Sequence, residues 1–351
     1  MLTAIPVSLA AVPSRPVKRV KPLPATGEFV RFSDPTTETI VVRLTNPATT
    51  SLLPAATNRF VSAKERFLVF SSDRTGTPTP FQIDLRTGIA TAIVKTKNLH
   101  PDSMCLDEHG KFLYLLDGTT LQEITLANRK IRTLAEDISA FSAEVPAQIL
   151  VVRGGRLEGL NDPESVLAED VEPSCLVRPG GGGCLFERQA TSGREFWYVP
   201  TRPDAPRKPV LLAKGRVSNP FWSPQGESLL ILRDVPVGDV LVSEIHEIVP
   251  ETGAEQCVAR TSQFAAFAPN GDGSVYVGAS RSKAQPTVIL LVRSVRRELT
   301  LCEHRASHPV SVSPVFSPDS RRVYFQSDHQ GKSALYSVNV ELLVEPTPGA
   351  I

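Results

Sequence analysis

Short apolar runs recur along the chain about every 40 residues, each bounded by Gly, Pro, Asp or Asn. The fullest copy begins at Val315. Phe316 opens it, and Ser317-Pro318-Asp319-Ser320 makes a turn in which Pro presets φ and Asp can bond its own backbone. Val323-Tyr324-Phe325 then reads as a strand of β-branched and aromatic residues. A turn at Gly331 leads into a third strand, Ala334-Leu335-Tyr336-Ser337-Val338.

The same template lies upstream. Phe221-Trp222-Ser223-Pro224-Gln225-Gly226 precedes Leu229-Leu230-Ile231-Leu232, and Phe267-Ala268-Pro269-Asn270-Gly271 precedes Val275-Tyr276-Val277. Asp107-Glu108-His109-Gly110 precedes Phe112-Leu113-Tyr114-Leu115-Leu116, and Phe67-Leu68-Val69-Phe70 leads to Phe81-Gln82-Ile83-Asp84-Leu85 and the turn at Gly88. Fainter units fall at 148–160 and 184–199. The spacing predicts an all-β, seven-bladed β-propeller over residues 28–345, after a poorly ordered leader 1–27 and before a tail 346–351. Segments 29–32 and 39–44 have strand character but no blade of their own. They are expected to complete the last blade, 308–345, which removes an open sheet edge.

Composition narrows the function. The 351 residues carry 38 Lys and Arg against 37 Asp and Glu, a net charge of +1, which argues against a nucleic-acid partner. No apolar run has the length of a membrane span. Five cysteines at scattered spacing suit free thiols in a reducing compartment, so a cytoplasmic location is expected, or a periplasmic one if the apolar start is a signal sequence. The run Gly180–Gly183 lacks the Lys-Ser/Thr and helix of a phosphate loop and reads as a turn. No Gly-x-Ser-x-Gly elbow is present. Cys302, His304 and His308 form a dense group of soft ligands, which reads as a connecting loop between blades rather than a zinc site.

Taken in order, these pieces resemble the oligogalacturonate lyases, seven-bladed propellers that cleave pectin fragments by β-elimination. The resemblance runs from about Phe29 to Val344. It rests on Asp34-Pro35-Thr36-Thr37 with Val42-Arg43-Leu44-Thr45, on Ser71-Ser72-Asp73-Arg74-Thr75-Gly76, on Asp84-Leu85-Arg86-Thr87-Gly88, and on the Phe316 to Tyr336 unit. Single repeats are shared with WD40-like and TolB-like (PD40) propellers. The resemblance implies a manganese ion, held by three His and one Gln, that neutralises the uronate carboxylate and acidifies the adjacent C–H.

At the positions matching that ligand set the chain has Gln263, His308, Ser311 and Ser313, and Asn219 replaces a further site His. Arg194 stands one residue from the position of a family Arg. Serine hydroxyls are poor ligands for a hard divalent ion. The expectation is therefore a lyase-like propeller without the manganese site, binding an acidic oligosaccharide or a protein in its central funnel, with Arg194 and Asn219 as catalytic candidates and His308 as a metal candidate. Arg178, Arg188, Arg194, Arg216 and Arg305 are candidates for a basic funnel lining. Two alternatives stay open: an active oligogalacturonide lyase with a rearranged site, for which manganese would be the cofactor, and a TolB-like interaction propeller.

Overall fold

Each blade is a four-stranded antiparallel sheet in sequence order, except the last, which has five strands. The computed structural model describes residues 27–344 apart from 145–147, 192, 203–204, 239 and 262, so the predicted leader (save Gly27) and tail lie outside the described residues. Blades 1 to 6 span 51–92, 105–135, 140–168, 175–215, 217–261 and 264–303. Blade 7 joins Val315–Phe316, Arg322–Ser327 and Ala334–Asn339 to the N-terminal strands Ile40–Arg43 and Val30–Ser33. The predicted closure is therefore found: Val41, Val42 and Arg43 pair with Val338, Ser337 and Tyr336. Helical structure among the described residues is confined to two 3-10 turns, and no helix there is long and apolar enough to cross a membrane.

Burial explains the strand sequences. The second strand of a blade is sandwiched between two neighbouring blades, so it is apolar on both faces rather than alternating. Val275–Ser280 is buried at every position, and Phe67–Ser72 at all but the first. The fourth strand faces solvent, and Lys130–Ala135 has no buried residue. First strands touch first strands of adjacent blades, which places them around the axis.

One turn design recurs between first and second strands, on what we term the lower face. A short polar side chain caps amides further along the turn, and a left-handed residue follows. Asp107 Oδ1 accepts from the amides of Lys111 and Phe112 at 2.6 and 2.7 Å, and Ser223 Oγ from that of Ser228 at 3.0 Å. The left-handed position is Gly110, Gly226 and Gly273 in three blades. In blade 4 the glycine run is this turn, which bears out its reading as a turn between strands. Gly183 at its end lies under the Tyr198 ring, where an added Cβ would come within 2.5 Å of ring atoms.

In blades 1 and 7 the left-handed position is instead Glu65 (φ 47°) and Ser320 (φ 61°), and these turns meet where the ring closes. Glu65 lies 3.3 Å from Arg322 and faces Asp319. Burial first, and then the neighbouring Asp319 carboxylate, push the Glu65 carboxyl up to about 7. The folded protein thus binds a proton here that the unfolded chain releases near its ordinary value, so stability falls as pH rises between about 4.5 and 7. Glu65→Gln removes this titration. The expected result is a gain of about 1–3 kcal/mol over the wild type at pH 8 and little difference at pH 5, read by urea unfolding. Parallel pH profiles for the two proteins would contradict it.

At the other seam, Asp34 binds the N-terminal hairpin to blade 6. Its Oδ1 accepts from the amides of Thr36 and Thr37 at 3.0 and 2.9 Å, and its Oδ2 from the Glu303 amide at 2.8 Å. Burial alone would raise this carboxyl, but the amides of Glu303, Thr37 and Thr36 outweigh it and hold it below its ordinary value. Asp84 makes the same turn within blade 1, to Arg86 and Thr87, without an amide from another blade. Asp34→Ala should cost about 2–4 kcal/mol and Asp84→Ala about 1–2 kcal/mol in denaturant unfolding. Equal losses would show that the inter-blade amide adds nothing.

Candidate functional site

Two connectors entering first strands on the upper face share a sequence, His-Pro-x-Ser, and a shape. His100 precedes the 3-10 turn Pro101–Ser103, and His308 precedes Pro309–Val312. Both histidines are extended, and Pro follows at the first helical position, where its fixed φ suits the turn and its missing N–H costs nothing. In each, the Ser hydroxyl donates to the His carbonyl at 2.7 Å. The first turn is tied to blade 1 by Asn58, whose amide donates to the carbonyls of Asp102 and Met104 at 2.9 and 3.2 Å. The second is held by Gln326, which donates to the Ser311 carbonyl at 2.6 Å and accepts the Leu53 amide at 2.8 Å.

The residues singled out from the sequence divide into two groups. Pro309–Val312 packs against Phe264–Pro269 and Arg322–Ser327, and Asn219 Nδ2 donates to the Ala265 carbonyl at 3.3 Å. Asn219, Gln263 and the 308–313 turn thus stand on neighbouring connectors and first strands of blades 5, 6 and 7. Their polar groups are largely committed. The Ser311 hydroxyl holds the His308 carbonyl, and Gln263 Oε1 accepts from Ser280 Oγ. Ser313 ends its turn in the left-handed region (φ 43°), and the His308 side chain is exposed. Ser262, beside Gln263, lies outside the described residues. Arg194 is elsewhere: it sits on the third strand of blade 4, exposed and 3.1 Å from Glu187.

The other sequence candidates serve the scaffold. Cys302 is buried in the core, its thiol pushed up by desolvation. His304 is fully buried with both ring nitrogens taken, Nε2 by the Ser280 carbonyl at 3.0 Å and Nδ1 by the Ala306 amide at 3.0 Å. That pattern fixes a neutral ring, and desolvation lowers its proton affinity further. Among the arginines, Arg178 pairs with Glu251 and Arg305 with Glu303. Arg188 lies over Trp197 and donates to the Glu169 carbonyl at 2.7 Å.

A cavity of about 660 Å³ opens on the upper face, lined by blades 1 to 4 rather than by the 308–313 turn. Its polar lining includes Asn58, His100, Asp102, Ser103, Ser139 and Ser174, and Phe141, Leu116 and Ile138 supply apolar wall. Thr57 and Asn58 also line a smaller cavity of about 150 Å³ that reaches the first strands of blades 2 to 5. Asp102 is held above the ordinary carboxylate value by desolvation, which His100 partly offsets. None of these lining residues was singled out from the sequence. The available signal was the second His-Pro-x-Ser at 100–103, matching the one at 308–311.

No protein-family model and no curated protein matches this sequence. Solved structures do match its shape. An oligogalacturonate lyase in complex with manganese aligns with a TM-score of 0.77 at 18% identity, covering 89% of this chain and 96% of the other. The oligogalacturonate lyase of Vibrio parahaemolyticus aligns with a TM-score of 0.74 at 17% identity, with the same coverage. The Cps50 (Swd1) β-propeller domain of Myceliophteria thermophila aligns less well, with a TM-score of 0.57 at 13% identity, over 83% of this chain and 99% of that one. The chain therefore has the fold of the oligogalacturonate-lyase propellers, seven blades closed by N-terminal strands.

Proposed function

We propose that this protein is a carbohydrate-binding propeller of the lyase type that does not carry out manganese-assisted β-elimination. The observation that supports it most is the donor set at the matching positions. A manganese site of three imidazoles and one amide has as counterparts one exposed His308, the hydroxyls of Ser311 and Ser313, and Gln263. The Ser311 hydroxyl and the Gln263 oxygen are already hydrogen-bonded within the protein. Neutral hydroxyls do not replace imidazole around a hard divalent ion, so this set does not fit the metal.

The upper-face cavity is suited to a sugar. Phe141 offers an apolar surface, while Asp102 and the Thr57 and Thr119 hydroxyls offer polar groups, the mixture by which a concave site orients a small polar ligand. Asn58 and the Ser103, Ser139 and Ser174 hydroxyls hold the walls through bonds within the protein. Three of the five candidate arginines are spent on carboxylates and a fourth on Trp197, so binding rests on hydroxyl recognition more than on a cationic lining. An acidic oligosaccharide and its neutral counterpart should then bind within about tenfold of each other.

Titration calorimetry with digalacturonate, with and without manganese, tests this. The expected result is binding independent of the metal and weakened about tenfold or more by Phe141→Ala, with no ultraviolet-absorbing unsaturated product. Manganese-dependent product that disappears in His308→Ala would overturn the proposal in favour of a rearranged lyase. Product that survives His308→Ala but not His100→Ala would move the chemistry to the cavity and overturn it equally.

A further inference from the structure

Blade 5 carries a second concentration of chemistry away from the axis. Glu244 and His246 lie on its third strand, Val240–Ile248, and Cys257 on its outer strand, Glu255–Thr261. A bulge between them sets the geometry. Ile245 pairs with Ala259, and regular pairing would then put Val258 opposite His246, but the register shifts and His246 meets Cys257. The extra residue, Val258, is buried in the core, and the thiol is brought opposite the imidazole.

We propose that Glu244, His246 and Cys257 form a zinc site, with solvent as the fourth ligand. One ligand atom from each residue lies within 4.8 Å of the other two. Tetrahedral zinc with bonds of about 2.0–2.3 Å needs ligand separations of roughly 3.3–3.6 Å, so side-chain shifts of about an ångström complete it. Glu244 Oε2 already stands 3.0 Å from His246 Nε2. On the far side of the ring, Glu255 lies 2.7 Å from Nδ1 and is itself held by Arg233 at 2.8 Å. A carboxylate on the far nitrogen is where the outer partner of a metal-bound imidazole stands. The mixture of thiolate, imidazole and carboxylate selects zinc over manganese or calcium, which prefer oxygen.

The ligand groups are accessible to a metal. Glu244 also contacts Arg260 at 2.8 Å. The Arg260 side chain is 76% exposed, so it can give up the carboxylate at little cost. Cys257 is the exposed thiol of the chain, while Cys105, Cys184 and Cys302 are buried and Cys175 is half-buried.

Cobalt(II) added to the metal-free full chain tests the site, because a cobalt–thiolate bond absorbs in the near ultraviolet. One equivalent should give this band with tetrahedral visible bands, and zinc should abolish both. His246→Ala and Cys257→Ser should lose them, whereas His308→Ala should keep them. Independently of any variant, zinc should slow alkylation of Cys257 by about tenfold or more, read by peptide mass spectrometry. No cobalt–thiolate band, a band that survives Cys257→Ser, or an alkylation rate unchanged by zinc would each overturn the site.

Discussion

A ring of sheets is stable only if its last blade meets its first, and in this protein both seams at blade 7 depend on segments distant in sequence. The N-terminal strands must cross to Ala334–Asn339, covering that strand's edge and leaving Val30–Ser33 as the outer strand of blade 7. Asp34 then locks that hairpin to blade 6 through the Glu303 amide, and Gln326 ties the upper side of blade 7 to blade 1 through Leu53. On the lower side the closure carries strain and charge together. Glu65 and Ser320 take left-handed backbones where blades 2, 4, 5 and 6 have Gly, and Glu65 shares its surroundings with Asp319. The two cavities near the axis each draw on four blades or more, because no single blade can enclose space there.

Closure also makes the fold independent of the side chains carried at its centre. The interior between blades is built from apolar second and third strands, which do not depend on what the connectors carry at the axis. The 308–313 turn keeps a well-defined shape with Ser311 and Ser313 in place, since its backbone is set by Pro309 and by the bonds of Ser311 and Gln326. A concave surface lies over blades 1 to 4, where the matching His100 turn stands.

The fold was legible because its signals are local. A polar cap, a left-handed residue and an apolar run fall within about a dozen residues and repeat, and the N-terminal strands were recognisable as a hairpin without a blade. Blade 4 reads faintly for a physical reason: it replaces the Ser-Pro-Asp turn with Pro179 and a glycine run, at whose end Gly183 passes beneath Tyr198. The site was less legible. Cys302, His304 and His308 form a ligand-like pattern, yet burial and backbone bonds consume the first two. Asn58, His100, Phe141 and Ser174 are far apart in sequence and meet only when four blades assemble. The pairing of His246 with Cys257 depends on a bulge that periodicity cannot locate.

The central claim is that ligand recognition has moved from the metal positions of blades 6 and 7 to the cavity over blades 1 to 4. A crystal structure of the protein soaked with digalacturonate and manganese tests it most directly. The account predicts sugar density against Phe141 and Asn58, with no metal bridging it to His308. Sugar bound through a manganese ion at His308 and Gln263, with the blade 1–4 cavity empty, would contradict it.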